Sequence, residues 1–496
     1  MFFKKRHNII FRNYNTFGYI IDNRLFGYAE INRSDVYVGD KILSQSGSVF
    51  FSVLDIKPKS LNALTNEINK IFVDGDIQAI KNDACEFYSM LELDGFVVSG
   101  ETVQECEEKD RKYSYNILAT DFAESDVRAH ATRHKTSTQD FFDEHFGGMP
   151  QLTNLHIEIT NRCNERCIHC YIPHKRRTGY IDSDLFYDVL EQCININVLH
   201  LTLTGGEPLL HMDFCDFLKK CREYNFSINV LSNLTLLDDA IIKEMKQNPL
   251  LSVQASLYSM NPDIHDKITK LKGSFERTKN GILKIIDNHI PIQISCPIMK
   301  QNKFCYNDVV KWANNYNIIA DDDYIVIAGC DHTGSNLSCR LSTDELEAVI
   351  NDKAHKDKNY FVRLEMEAER KRDSRPDNFV CSVCNSSICI AEDGNVYPCA
   401  GWRDYVVGNV NESTLSDIWN SAEKVTYLRA LRMNDFPKCI KCAEREFCTM
   451  CMVRNANENR LGDPLAVSEY FCQIAKINKK MMLGWKSRSA HASDRP

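Results

Sequence analysis

The sequence predicts an α/β fold built on a parallel sheet, because strand-like and helix-like patterns alternate between residues 152 and 328. Short apolar runs, typical of strands, are separated there by amphipathic stretches with helical spacing. Such alternation favours a parallel sheet with its helices packed outside. A second observation agrees with this fold. Segments rich in Cys and Gly directly follow the first two strands, and ligands bind beyond the carboxyl ends of strands in such sheets.

Six strand–helix units account for this region. Strands are expected at 154–160, 198–204, 226–232, 250–257, 291–298 and 324–328. Helices are expected at 182–196, 213–224, 237–246, 276–288 and 306–317. Repeated units of this kind predict that the strands run in one direction.

Composition narrows the class of protein. The chain of 496 residues is long enough for roughly two to four domains, and its 43 % hydrophobic and 26 % charged residues are globular values. A net charge of −8 gives no indication of nucleic-acid binding. No apolar run approaches the about 20 residues that span a bilayer. The basic start, MFFKKRHNIIF, lacks the apolar core and cleavage site of a signal peptide. We therefore expect a cytoplasmic protein that binds neither nucleic acid nor a membrane.

Cysteine usage indicates metal sites. The chain has 21 cysteines, and in a cytoplasmic protein these are not expected to form disulfides. Nine of them lie between Cys381 and Cys472, which predicts metal binding in that region. Others, such as Cys193 and Cys221, fall inside helix or strand patterns, and we interpret them as small buried hydrophobes.

The segment EITNRCNERCIHCY, after the first strand, holds Cys163, Cys167 and Cys170 in a C-x3-C-x2-C spacing. Three thiolates so close together can hold three irons of a four-iron cluster, which leaves the fourth iron open to a small molecule. A zinc knuckle and three buried structural cysteines are the alternatives. Structural zinc normally takes four ligands, and the neighbouring His169 does not have the usual spacing for the fourth.

The second strand ends in Gly205-Gly206-Glu207-Pro208, within LTLTGGEPLL. The two glycines allow the backbone to approach a ligand closely, and the carboxylate of Glu207 can accept hydrogen bonds from an ammonium group. Together, the two motifs resemble those of the radical S-adenosylmethionine (SAM) enzymes. The resemblance covers roughly residues 150–345 and implies a partial (β/α)6 TIM-like barrel. It also implies that the cysteines bind a [4Fe-4S] cluster and that GGEP contacts the methionine amine of SAM.

The same resemblance implies further cofactor-binding residues at strand ends. Ser232 and Asn233 end the third strand, and Ser256 ends the fourth, where the family has a serine near the ribose or carboxylate of SAM. His169 stands where the family often has an aromatic residue near the adenine. Thr269 occupies a position that often carries an arginine, so that role is not transferred. Beyond the last strand, Asp331, His332 and Arg340 are polar. A loop held only by backbone bonds is the favoured interpretation, and residues that face the substrate are the alternative.

The C-terminal cysteines resemble the SPASM extension, expected at 381–480. Cys384 precedes Gly394 and Cys399 with the family spacing, although the last gap of the following motif is x2 where the family has x3. The resemblance implies two auxiliary [4Fe-4S] clusters. The expected ligands are Cys384, Cys389, Cys399 and Cys451 for one and Cys439, Cys442, Cys448 and Cys472 for the other. Cys381 is then the spare thiol and a candidate catalytic residue. Which of Cys381, Cys384 and Cys389 ligate the first cluster stays open, and two zinc ribbons are the alternative.

Residues 1–103 follow the order strands, helices, short wing, with Ser60 as an expected N-cap. This pattern resembles the winged-helix-like α+β domain that binds leader peptides by strand addition. A generic α+β cap is the alternative. The segments between and after these domains are expected to be a linker at 104–149, a bridging helical region at 346–380 and a tail at 481–496.

A leader-binding domain joined to a SPASM extension resembles the maturases of ribosomally made peptides. The resemblance implies a 5′-deoxyadenosyl radical that acts on a precursor peptide, with a flavodoxin or ferredoxin as electron donor. Thioether crosslinking is the favoured product, and carbon–carbon crosslinking and epimerisation are alternatives. A sulfatase-maturase-like enzyme would not need residues 1–103. An iron–sulfur electron carrier or a zinc scaffold would not need GGEP at a strand end.

Overall fold

Three sheets organise the part of the chain that this computed structural model describes. The described residues are 1–22, 39–72, 75–111, 142, 145–176, 179–357, 360–372 and 379–493. Most of the expected linker at 104–149 lies outside these ranges.

The N-terminal unit has two small antiparallel sheets covered by helices. Its elements are β1 (Phe2–Lys5), β2 (Ile9–Asn13), β3 (Gly18–Asp22), β4 (Asp40–Leu43), α1 (Gln45–Ser52), β5 (Lys59–Ser60), α2 (Leu61–Asn69), α3 (Ile77–Leu93), β6 (Val97–Gly100) and α4 (Val103–Arg111). The sheets have the orders β2-β3-β4 and β5-β1-β6. Ser60 is the N-cap of α2, since its Oγ accepts a hydrogen bond from the Ala63 amide at 3.2 Å. Helix α4 packs back on this unit, where Lys4 forms an ion pair with Asp110 at 2.8 Å.

The central region alternates strands and helices, as expected. Its elements are β7 (Asn154–Thr160), α5 (Ser183–Asn195), β8 (His200–Gly205), α6 (Phe214–Glu223), β9 (Ser227–Ser232), α7 (Asp239–Gln247), β10 (Leu251–Ser256), α8 (Pro262–Thr269), α9 (Ser274–Asp287), β11 (Ile292–Ser295), α10 (Tyr306–Asn314) and β12 (Ala320–Asp321). The strands pair in the order β12-β11-β10-β9-β8-β7, and every pair is parallel. The α/β class with a TIM-like parallel sheet is therefore confirmed.

The prediction of a sixth strand at 324–328 is wrong. The sixth strand, Ala320–Asp321, comes earlier and is only two residues long, and the chain then leaves the sheet. After β12, two backbone carbonyls accept hydrogen bonds from side chains and not from a neighbouring strand. Arg340 donates to the Val326 carbonyl at 2.6 Å, and Asn457 donates to the Ala328 carbonyl at 3.0 Å. An apolar run in the sequence does not reveal such distant partners.

The C-terminal region continues the central sheet. Its elements are α11 (Thr343–Lys356), α12 (Tyr360–Arg372), β13 (Ser387–Ile390), β14 (Asn395–Tyr397), β15 (Gly408–Asn409), α13 (Leu415–Ser421), α14 (Glu423–Ala430), α15 (Pro437–Ile440), α16 (Met452–Glu458) and α17 (Glu469–Ser493). Strand β13 pairs in parallel with β7, with Cys389 opposite His156. Trp402, which is fully buried, belongs to the same apolar core as Ile157 of β7. Within the described residues, no helix has the length and apolar character needed to cross a membrane.

The N-terminal unit packs against the amino ends of the barrel strands. Asn225, just before β9, accepts hydrogen bonds through Oδ1 from the Phe11 amide at 3.1 Å and from Lys5 Nζ at 2.8 Å. Arg12 donates through Nε to the Val198 carbonyl at 2.7 Å. Leu199 shares an apolar cluster with strands β2 and β3. The unit is thus fixed at the end of the barrel opposite the carboxyl ends of the strands.

Candidate active site

The cysteine loop starts where β7 ends, and its three thiols lie close together. Burial raises the pKa of Cys167 well above its usual range, and Glu165, Cys170 and Cys163 raise it further. The raised pKa of Cys167 favours its protonated thiol until a cation replaces the proton. A cluster iron is such a cation, so the donor set fits a three-cysteine iron–sulfur site.

The glycines of the second motif allow β8 to approach the cysteine loop. Gly206 donates its amide to the Thr160 carbonyl at 2.7 Å, and Glu207 donates its amide to the Arg162 carbonyl at 2.8 Å. A Cβ on Gly206 would lie 2.1 Å from the Arg162 carbonyl oxygen, and one on Gly205 would lie 1.9 Å from that of Thr160. The close approach expected for these glycines is therefore made to the loop that holds the thiols.

The structure brings Glu207, Ser232 and Asn233 together, as expected for strand-end residues. The carboxylate of Glu207 is fully buried and accepts hydrogen bonds from Ser232 Oγ at 2.7 Å and from the Asn233 amide at 2.7 Å. Burial raises the pKa of Glu207 to about 7, although these hydrogen bonds oppose the rise. Pro208 begins a short 3-10 helix directly after it. Asn164 of the cysteine loop accepts a hydrogen bond from the Asn233 side chain at 2.8 Å, which ties β9 to the loop.

Tyr258 joins the two remaining expected residues and was not identified from the sequence. Its hydroxyl lies 3.4 Å from His169 Nε2 and has a side-chain hydrogen bond with Ser256. The rings of Tyr258 and His169 meet edge-on at 5.1 Å. Burial lowers the pKa of His169 to about 4, so its ring is neutral at pH 7. The only signal in the sequence is that Tyr258 follows Ser256 by two residues.

Thr269 is buried and contacts the cysteine loop through its backbone carbonyl, which accepts a hydrogen bond from the Arg166 amide at 2.9 Å.

A first group of C-terminal thiols consists of Cys381, Cys384, Cys399 and Cys451. Cys381 interacts electrostatically with Cys399 and Cys451, and Cys384 interacts with Cys381 and Cys399. Cys389 also interacts electrostatically with Cys399 of this group. It is fully buried in β13, and the first charged groups that affect its pKa are Glu158 and Arg403.

A second group lines a cavity of about 440 Å³. Its thiols are Cys439, Cys442, Cys448 and Cys472, and Cys451 of the first group also reaches the cavity wall. In the described residues no three metal-binding side chains converge on a point that holds a single ion. The cavity is large enough for a four-iron cluster, and its four thiols match the ligand number that such a cluster needs. The expected ligands Cys439, Cys442, Cys448 and Cys472 are thus brought together.

Arg403 connects the two cysteine regions and was not identified from the sequence either. It forms ion pairs with Glu158 of β7 at 2.5 Å and with Glu392 at 3.1 Å. Glu392 in turn accepts a hydrogen bond from Asn161, two residues before Cys163. Burial raises the pKa of Glu158 to about 7, and Arg403 opposes this rise. The loop with the three thiols and the loop with Cys399 are therefore held by one buried ionic network.

Comparisons with known proteins agree with this geometry. Residues 157–313 match the radical SAM superfamily, and residues 381–452 match the SPASM iron–sulfur cluster-binding domain. The chain is a radical SAM enzyme with a SPASM domain. Its cofactors are SAM, a [4Fe-4S] cluster that binds SAM and auxiliary iron–sulfur clusters.

Several known proteins resemble this one. The antilisterial bacteriocin subtilosin biosynthesis protein AlbA of Bacillus subtilis is 25 % identical over 345 residues, which cover 66 % of this chain and 72 % of AlbA. The structure of Streptococcus suis SuiB bound to precursor peptide SuiA has a TM-score of 0.58 at 14 % identity, covering 95 % of this chain and all of SuiB. A structure of anSMEcpe with bound AdoMet and a peptide has a TM-score of 0.53 at 20 % identity, and covers 70 % of this chain and 100 % of its own. The two structures show the fold.

Proposed function

We propose that this radical SAM enzyme installs a crosslink in a ribosomally made precursor peptide, with a thioether as the favoured product. The observation that carries the proposal is the N-terminal unit, which presents a sheet edge and is fixed to the barrel. The likeness to SuiB covers 95 % of the chain and so extends over this unit, whereas the likeness to anSMEcpe covers 70 %. A radical SAM/SPASM enzyme does not need such a unit for SAM cleavage alone.

One edge of the β2-β3-β4 sheet suits a leader peptide. The β2 edge is closed, because Asn225 accepts from the Phe11 amide and donates to the Ile9 carbonyl at 3.3 Å, as a neighbouring strand would. The β4 edge pairs with β3 and with no other strand of the described residues. An extended leader can therefore add to β4 by main-chain hydrogen bonds. The winged-helix-like assignment of residues 1–103 is part of this proposal.

The chain has cysteines that can hold the electron acceptors needed for an oxidative crosslink. When bound, SAM and the reactive cluster supply a 5′-deoxyadenosyl radical. A crosslink removes two hydrogens from the peptide, so after one hydrogen atom has gone, one electron and one proton must also leave. We assign the first auxiliary cluster to Cys381, Cys384, Cys399 and Cys451 and the second to Cys439, Cys442, Cys448 and Cys472. Together these eight thiols hold acceptors for that electron.

The residues expected to hold SAM are Gly205, Gly206, Glu207, Pro208, Ser232, Asn233, Ser256 and His169.

Epimerisation is the second candidate, and one observation favours it. An epimerase needs a thiol that returns a hydrogen atom to the peptide. In the ligand assignment above, Cys389 replaces Cys381 as the spare thiol, and it lies in the strand beside β7. Its full burial makes the crosslink the better-supported product.

Mass spectrometry of the precursor peptide distinguishes these products. The anaerobically reconstituted enzyme is incubated with SAM, a flavodoxin or ferredoxin as electron donor, and a short cysteine-containing peptide encoded beside its gene. Loss of two hydrogens supports a crosslink. An unchanged mass in water with a gain in deuterated water supports epimerisation. Release of 5′-deoxyadenosine with no peptide product in either solvent would contradict the peptide assignment.

A further inference from the structure

The cavity of the second auxiliary site opens onto the protein surface. Of the residues around it, Lys438 and Thr449 are exposed, and Phe379 is 43 % exposed. The cavity is also bounded by Cys451, a proposed ligand of the first auxiliary cluster. The second site therefore connects the surface with a proposed ligand of the first auxiliary cluster.

The ligand segment has three cations at or next to this opening, of which Lys438 and Arg445 line the cavity. Lys438 and Lys441 are exposed and adjoin Cys439 and Cys442, and Arg445 lines the cavity. The ammonium of Lys438 lies within electrostatic reach of Cys439 and Cys472. These cations form no ion pair with a carboxylate in the part of the chain that the structure describes.

Two carboxylates near this opening are paired with other lysines, and one of them, Glu469, also lines the cavity. Glu444 lies 3.5 Å from Lys479, and Glu469 lies 3.7 Å from Lys476. The three cations therefore add positive charge at this opening, although the whole chain carries a net charge of −8. A local field of this kind attracts an anionic partner and orients it.

We propose that this basic opening is the docking surface for a small acidic electron-transfer protein. The partner transfers one electron at a time between its own carrier and the second auxiliary site, and no bond forms or breaks. The proposal rests on the proposed function, because an oxidative crosslink requires electrons to enter and leave the enzyme. Phe379, Val380 and Met433 also line the cavity and add apolar surface beside the cations. Transient redox complexes have small interfaces whose charges mainly raise the association rate.

The competing explanation for these cations is that they offset the negative charge of the four thiolates and their cluster. The two roles predict different results. A cation that serves the partner affects the rate of electron transfer from a charged protein at low salt. A cation that serves the cluster affects its loading or its reduction by any reagent.

The test uses the holoenzyme and the charge-reversal variant Lys438→Glu/Lys441→Glu. The control, Lys243→Glu/Lys246→Glu, makes the same charge change in another surface groove, along α7. The milder variant Lys438→Gln/Lys441→Gln is used if charge reversal prevents cluster loading. Stopped-flow absorbance follows reduction of the iron–sulfur centres by flavodoxin hydroquinone at low and high ionic strength. Photoreduced deazariboflavin, which is uncharged, serves as a small reductant for comparison. Binding of oxidised flavodoxin is measured by calorimetry.

At low salt we expect flavodoxin to reduce the charge-reversal variant about tenfold more slowly than the wild type and to bind it more weakly. Salt should slow the wild type and have little effect on the variant. The control should behave like the wild type, and deazariboflavin should reduce all the proteins at one rate. Equal rates for wild type and variant, or an equal loss in the control, would overturn the proposal. So would equally slowed reduction by deazariboflavin. No step uses a peptide, so failure of the peptide assignment would leave this result unchanged.

Discussion

Arg403 forms an ion pair with Glu158 at 2.5 Å across the boundary between the SPASM region and the first barrel strand. Arg403 follows the auxiliary ligand Cys399 by four residues, and Glu158 precedes the reactive-site Cys163 by five. Both side chains are buried, at 10 % and 1 % exposure. Since β13 also pairs with β7, both strand pairing and this buried ion pair join the two cysteine regions.

Replacing Arg403 should therefore destabilise the enzyme strongly. Arg403→Met leaves Glu158 and Glu392 buried without their cation, which costs about 3–5 kcal/mol in the free energy of unfolding. Lys284→Met is the control, because it removes an exposed ion pair with Asp239 and should change that free energy by less than about 1 kcal/mol. Denaturant unfolding of the two variants measures both values. Equal stability of Arg403→Met and the wild type would contradict the structural role of this pair.

Gly206→Ala should disrupt the reactive site selectively. The added Cβ would lie 2.1 Å from the backbone oxygen of Arg162, so the cysteine loop must move. We expect 5′-deoxyadenosine release to fall by at least about 100-fold. Iron content should fall from about twelve to about eight per chain as one four-iron cluster is lost. Gly484→Ala in α17 is the matched control, since its Cβ meets nothing within 4 Å. Unchanged iron content and activity in Gly206→Ala would show that the loop has more freedom than this packing allows.

The two candidate spare thiols can be separated by single substitutions. Cys389→Ser should keep all three clusters, because the charged groups with the largest effect on the pKa of Cys389 are Glu158 and Arg403, ahead of any other thiol. Cys381→Ser should perturb the electron paramagnetic resonance signal of the first auxiliary cluster and lower the iron content. Iron analysis and the spectra of the reduced proteins measure both effects. The reverse pattern would restore Cys389 as the ligand and Cys381 as the spare thiol.

His200 should make stability depend on pH. Burial lowers its pKa to about 3, below the value of about 6.5 for an unfolded histidine. The unfolded state therefore binds the extra proton between these values, and the contribution of neutral His200 is present above pH 6.5 and lost as the pH falls toward 3. Relative to His200→Asn, the wild type should lose up to about 1.4 kcal/mol per pH unit in this window. Thermal unfolding from pH 7 to pH 5 tests this. Parallel curves for the two proteins would contradict the buried neutral state.

Local patterns predicted much of this architecture. The strand–helix alternation and the strand ends that carry Cys163, Gly206 and Ser232 were identified because each depends on neighbours in the sequence. The contact of β7 with β13 was not predicted, since its partners are separated by more than 200 residues.

The remaining site residues depend on long-range packing. Arg403 and Tyr258 have no motif of their own, and their partners come from other strands. Cysteine spacing also did not decide between Cys381 and Cys389, because spacing does not specify the direction in which a strand residue points. For His332 and Arg340 the sequence favours a loop held by backbone bonds. Their side chains instead join that loop to the SPASM region, through a hydrogen bond between His332 and Asp404 and an ion pair between Arg340 and Glu458.

The central claim is that the radical made at Cys163, Cys167 and Cys170 removes a hydrogen atom from a carbon of a precursor peptide. The most direct measurement uses a perdeuterated precursor peptide and mass spectrometry of the 5′-deoxyadenosine released. We predict one deuterium in each 5′-deoxyadenosine, together with a peptide that has lost two deuterium atoms or one deuterium and one exchangeable hydrogen. Unlabelled 5′-deoxyadenosine and an unchanged peptide would contradict the claim.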